Sequence, residues 1–129
     1  MPSKQEIYRQ IEQELGFVPG FFKQLPADSL EHEWTLFAAQ LDDDYGEIPP
    51  KERELAGIAV AAQMQCPYCA YAHTAFARLF GATDAEIEDA AHTAKHTAGW
   101  SSYLRGLDYD LDEFKREVDQ ACENMKKQM

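Results

Sequence analysis

One stretch constrains the fold more than any other: Glu52–Thr83, ERELAGIAVAAQMQCPYCAYAHTAFARLFGAT. Both of its halves are alanine-rich and carry apolar residues at helical spacing, and a single proline, Pro67, stands between them. The residue before a proline avoids the α region, so the incoming helix has to stop near Gln65 or Cys66. Proline is well tolerated in a first helical turn, so a second helix can start at once. Cys66 is then the expected N-cap and Cys69 the third helical residue. If the chain reverses there, the two helices pack antiparallel.

The remainder of the chain reads the same way. It has 18 Ala against 13 Val, Ile and Thr together, a balance that favours helix over strand. Ser3-Lys4-Gln5-Glu6 and Thr83-Asp84-Ala85-Glu86 are capping boxes, and Asp110-Leu111-Asp112-Glu113 is a similar start. Gly16 and Gly81 end the helices before them. Ile7, Ile11 and Leu15 follow the first start at helical spacing. A helix is expected from about Leu30 to Leu41, another after Pro49-Pro50, and the one opened at Thr83 should run to about Leu104. Phe114, Val118, Ala121, Cys122 and Met125 form one stripe on the last helix, which makes Cys122 a core residue. Phe21, Phe22, Trp34 and Trp100 read as core or subunit-interface aromatics. No segment shows confident strand alternation, and no repeat or low-complexity tract occurs. The expected architecture is all-α: one domain over 1–129, a compact antiparallel arrangement of about six helices with short loops.

Bulk properties narrow the function. The 23 acidic residues outweigh 12 basic ones for a net charge of −11, which argues against a nucleic-acid partner. The acidic run Asp42–Asp44 reads as a solvated loop or helix end. The longest apolar run, Leu55–Ala62, is far too short to span a bilayer, and the start MPSKQEIYRQ lacks the layout of a secretory signal. A cytoplasmic location and no membrane partner are therefore expected. In a reducing compartment a Cys-x-x-Cys pair points to catalysis or metal binding before structural disulfides.

The spacing in QCPYCAYAHTA supports specific chemistry. Cys66 and Cys69 can meet across one turn, at a helix start whose free N–H groups and dipole favour a thiolate, the nucleophilic form. Cys69 and His73 are four apart and share a face, so the imidazole can take the thiol proton directly or through one water. Glu54 lies twelve residues before Cys66, and an antiparallel turn brings it level with His73. That makes a nucleophile, base and orienting acid. Cys-Pro-Tyr-Cys is also the redox tetrapeptide of glutaredoxins, but their motif follows a strand of a βαβ unit and no such unit exists here. Zinc is the competing reading, with Cys66, Cys69 and His73 as ligands and Cys122 or His96 as a fourth. His92 and His96 have the offset of metalloprotease ligands, but position 93 is Thr where the catalytic Glu would stand, so a surface or packing role is expected.

Glu, eleven residues, Cys-x-x-Cys, three residues, His resembles the signature of the alkylhydroperoxidase D-like proteins within the carboxymuconolactone decarboxylase-like family. The resemblance covers roughly Gly16 to Leu107, including GFVPGFF and WSSYLRGL. It implies an all-α fold assembled as homo-trimers or homo-hexamers, and thiol-dependent reduction of small hydroperoxides with neither cofactor nor metal. By that analogy Cys69 attacks the peroxide, Cys66 resolves the product as a disulfide, and Glu54 and His73 relay protons. A dithiol donor then reduces the pair, a role lipoyl groups fill for some relatives. Tyr68 departs from the family's best-known peroxidases, which carry His at that place. The decarboxylases that name the family lack the cysteine pair; a lactone decarboxylase or isomerase using His73 and Glu54 alone, or a metal-binding helical module, are the alternatives.

Overall fold

The computed structural model describes residues 1–129 as seven α-helices with no strand: α1 (Lys4–Leu15), α2 (Gly20–Lys23), α3 (Ala27–Gln40), α4 (Pro50–Met64), α5 (Pro67–Leu79), α6 (Asp84–Gly106) and α7 (Leu111–Gln128). The count exceeds the expected six because the proline-bounded segment after Gly16 winds one short turn, α2. Helix α3 begins three residues before Leu30, directly after Pro26.

Local chemistry explains the boundaries. Ser3 accepts from the Glu6 N–H at 3.2 Å while Glu6 Oε2 accepts from the Ser3 N–H at 2.8 Å. Thr83 and Glu86 repeat that exchange at 3.1 and 3.0 Å, and Asp110 caps α7 by accepting from the Glu113 N–H at 3.2 Å. Gly16 adopts φ +83°, a left-handed residue that closes α1.

Two packing centres result. Ile7, Ile11, Phe22, Leu30 and Trp34 form a buried apolar cluster between α1, α2 and α3. The second centre is the packing of α4 against α5 and α6, whose buried residues are Pro50, Glu54, Ile58, Ala61, Ala77 and Ala94. Phe37 on α3 links the two, with its ring 5.1 Å from Phe22 and 6.0 Å from Phe76 on α5. Arg53 fastens the connection between α3 and α4. Its guanidinium donates to the Gln40, Tyr45 and Ile48 carbonyls at 3.0, 2.6 and 2.7 Å. Lys51 and Glu86 tie α4 to α6 at 2.9 Å, a contact that raises the lysine pKa; the Thr83 N–H, and after it Lys51, lowers that of the glutamate.

The last helix corrects an expectation. Helix α7 forms, but none of its residues is buried, and Cys122 is an exposed free thiol instead of a core residue. Its apolar stripe is real, with Leu111, Phe114, Val118 and Met125 on it; Phe114 and Val118 line an open groove with Trp100, Tyr103 and Leu104 of α6, yet the stripe stays exposed. Trp100 and Phe21 are exposed as well, whereas Phe22 and Trp34 are core. No helix is long and apolar enough to cross a membrane.

Candidate active site

The site is built where α4 ends and α5 begins. Gln65 takes a left-handed conformation (φ 56°, ψ 39°) that stops α4, and Cys66 (φ −100°, ψ 106°) is extended, as the residue before Pro67 must be. Pro67 occupies the first helical position of α5. Cys66 is the N-cap, and its Sγ accepts the Cys69 N–H at 3.1 Å. The donated N–H thus reaches the Cys66 sulfur. Cys66 and Cys69 are joined as a disulfide across the first turn, with Cα atoms 5.3 Å apart.

His73 lies one turn beyond Cys69 on α5. Its Nδ1 sits 2.7 Å from Glu54 Oε2 on α4, so the acid and the imidazole meet across the helix pair. The Glu54 side chain is only 4% exposed and that of His73 37%. Glu54 belongs to the buried stripe of α4, with Ile58 and Ala61. Burying a carboxylate is costly unless it is partnered, and His73 is the partner. An ionised carboxylate can only accept, so in that state Nδ1 carries the proton and Nε2 is the ring atom able to take another.

Cys69 and His73 open onto one cavity of about 740 Å³. Glu54 reaches it from α4, and its walls are largely aromatic: Phe21, Phe37, Tyr68, Tyr71 and Phe76. Cys66 is not among the lining residues, so the two sulfurs are inequivalent. Of these walls the sequence singles out Phe21 and Tyr68. Phe37, Tyr71 and Phe76 were missed, although Phe76 stands three residues after His73, a spacing that puts both on one face of α5.

No group of three or more His, Cys, Asp or Glu side chains is arranged to hold a metal ion. His96 accepts from the Trp100 indole N–H at 3.2 Å along α6, and His92 and His96 border an open surface groove separate from the cysteines.

Comparison with known proteins identifies relatives of the chain. The sequence model of the carboxymuconolactone decarboxylase family matches residues 29–109. An alkyl hydroperoxide reductase of Mycobacterium tuberculosis is 32% identical over 91 residues, which is 69% of this chain but 26% of that protein. The chain therefore spans about a quarter of that relative's length. The crystal structure of the alkylhydroperoxidase AhpD core from Rhodospirillum rubrum superposes with a TM-score of 0.73 at 25% identity, over 84% of this chain and 82% of that one. With the family match running through the paired cysteines, His73 and Glu54, the chain belongs to the alkylhydroperoxidase D-like, carboxymuconolactone decarboxylase family.

Proposed function

We propose that this protein is a thiol-dependent peroxidase that reduces a hydroperoxide with the Cys66–Cys69 pair. The observation that carries the reading is the juxtaposition of Cys69 and His73 on one cavity, with the Glu54 carboxylate 2.7 Å behind the imidazole.

The reaction has three balanced steps. The Cys69 thiolate attacks the outer peroxide oxygen, the O–O bond breaks, and the departing alkoxide takes a proton to leave as the alcohol. Cys69 is then a sulfenic acid. The Cys66 sulfur displaces its hydroxyl, forming the disulfide and releasing water. A dithiol donor, of lipoyl type or another, reduces the disulfide by exchange and leaves as its own disulfide. The inequivalence of the sulfurs supports the assignment: Cys69 faces the cavity where a peroxide would sit, and Cys66 receives the backbone N–H that stabilises an attacking thiolate. His73 takes the thiol proton on Nε2 and returns it to the alkoxide, while Glu54 holds the ring and offsets the imidazolium charge. Tyr68 borders the cavity where the best-known peroxidases carry a histidine, so the relay runs through His73 and Glu54.

We further propose that the protein works as a homo-trimer or homo-hexamer. Only 12 of its 129 residues are buried in the single chain, while Phe17, Val60, Met64, Tyr71, Leu79 and Trp100 are exposed, a large apolar surface for a molecule of this size.

The test is mass spectrometry of the reduced protein before and after one equivalent of cumene hydroperoxide. The wild type should lose two hydrogens as the disulfide forms, Cys66→Ser should gain one oxygen, and Cys69→Ser should do neither. Steady consumption of the peroxide with dihydrolipoamide should vanish in Cys69→Ser. Turnover that survives this substitution sinks the reading, and favours a decarboxylase or isomerase that uses His73 and Glu54 without the sulfurs.

A further inference from the structure

Gly57 lies in the middle of α4, in the run Leu55-Ala56-Gly57-Ile58-Ala59, where glycine is the poorest ordinary choice for a helix. No backbone conformation calls for it, because Gly57 is not among the glycines with positive φ. Its environment does. A Cβ built on Gly57 would fall 2.5 Å from Nδ1 of His73 and 2.6 Å from Cε1 and Cγ, inside any real contact distance. Among the seven glycines, five would meet nothing within 4 Å, and Gly46 would approach only the Arg53 guanidinium, at 3.2 Å. The atoms that a side chain at 57 would strike surround the same Nδ1 that Glu54 holds at 2.7 Å. Glu54 is three residues earlier on α4, hence on the same face.

We propose that Gly57 is a positioning residue: its missing side chain lets the His73 ring settle onto the α4 backbone far enough for Nδ1 to reach the buried Glu54. Alanine at 57 would force the ring outward. The His73 side chain is 37% exposed, so it has room to swing toward the cavity while the helices keep their packing. Disruption of the pair would then separate from unfolding. The catalytic consequence rests on the peroxidase reading above; the positional one does not.

The experiment compares Gly57→Ala, Glu54→Ala and the double variant. In the imidazole ¹⁵N spectrum of His73, Gly57→Ala should move the Nδ1 and Nε2 signals in the same direction as Glu54→Ala. Peroxide turnover of Gly57→Ala should fall about tenfold or more with KM little changed, as expected when a proton-transfer group is misplaced. Added to Glu54→Ala, the substitution should cost less than about twofold further, because both remove one contact. Unchanged His73 signals, or losses that simply multiply, overturn the proposal. If the wild type turns over no peroxide, the peroxidase reading falls and the ¹⁵N spectrum alone decides the role of Gly57. If Gly57→Ala does not fold, the same substitution in a His73→Ala background decides it: a folded protein there supports the collision with the ring, and an unfolded one overturns it.

Discussion

Around α1, α2 and α3 the interior is made of large side chains, Ile7, Ile11, Phe22, Leu30 and Trp34, whereas α4 meets α5 over Gly57, Ala61, Ala77 and the Glu54–His73 pair. The first region removes much apolar surface from water and adds edge-to-face aromatic contact, with Phe22 and Trp34 centroids 5.5 Å apart. The second removes little surface per residue, since a methyl group buries far less than an indole. Its small side chains instead let two helix backbones come close, which sets an imidazole and a carboxylate at hydrogen-bond distance. Bulk stabilises; smallness positions. One chain uses both, and Phe37 joins them by packing on Phe22 and walling the cavity beside Cys69.

That contrast can be broken experimentally, and the largest effect should come from the bulky region. Trp34→Ala should lower stability by about 3–5 kcal/mol in urea denaturation. A loss under about 1 kcal/mol would mean that the cluster is not where stability resides. Next comes the site. Glu54→Gln should cut peroxide turnover on the order of a hundredfold, because a neutral amide no longer offsets the imidazolium, with a far smaller change in the urea midpoint than Trp34→Ala gives. A large midpoint shift with intact turnover would assign Glu54 to stability and not to chemistry.

Ala61→Leu sharpens the contrast from the other side. Ala61 is 1% exposed between closely packed helices, so three added carbons should destabilise by about 1–3 kcal/mol although the residue becomes more apolar. A stabilised variant would show that the helix pair has slack and that small residues there are incidental. The smallest effect belongs to the periphery. The Tyr109 hydroxyl donates to Glu117 of α7, a contact that, with neighbouring acidic charge, pushes its pKa from 10.0 up to about 12. A raised phenol pKa favours the protonated folded form. That contribution is fully present below pH 10.0 and is lost as pH rises toward about 12. Ultraviolet titration should place Tyr109 well above an ordinary tyrosine, and Glu117→Gln should return it toward 10.0. An unshifted Tyr109 in the wild type would mean that α7 is not held by this contact.

Reading by spacing succeeded where a local rule dominates. Pro67 dictated the extended Cys66 and the start of α5; the capping boxes at Ser3 and Thr83 dictated two further starts. Offsets of three and four put Cys66, Cys69 and His73 within about two turns, and the antiparallel return brought Glu54 level with the imidazole. Spacing failed where the answer depended on what packs against a face. The stripe through Phe114, Val118 and Cys122 is as regular as that of any core helix, yet it borders an open groove beside α6, none of it is buried, and Cys122 is exposed. Periodicity states that a helix has an apolar side; it does not state that the side is occupied. The cavity aromatics were missed for a related reason, since Phe37 and Phe76 come from helices more than twenty residues apart and converge only on folding.

The amino-acid sequence alone therefore determined the helical class, the break at Pro67 and the adjacency of two sulfurs to one imidazole, because each follows from bonds and sterics within a few residues. Tertiary structure alone decided that Glu54 is buried, that Cys69 faces a cavity while Cys66 does not, and that the stripe of α7 stays exposed. Those outcomes depend on which helix faces fill one another, a property of the whole packed chain that no local rule contains.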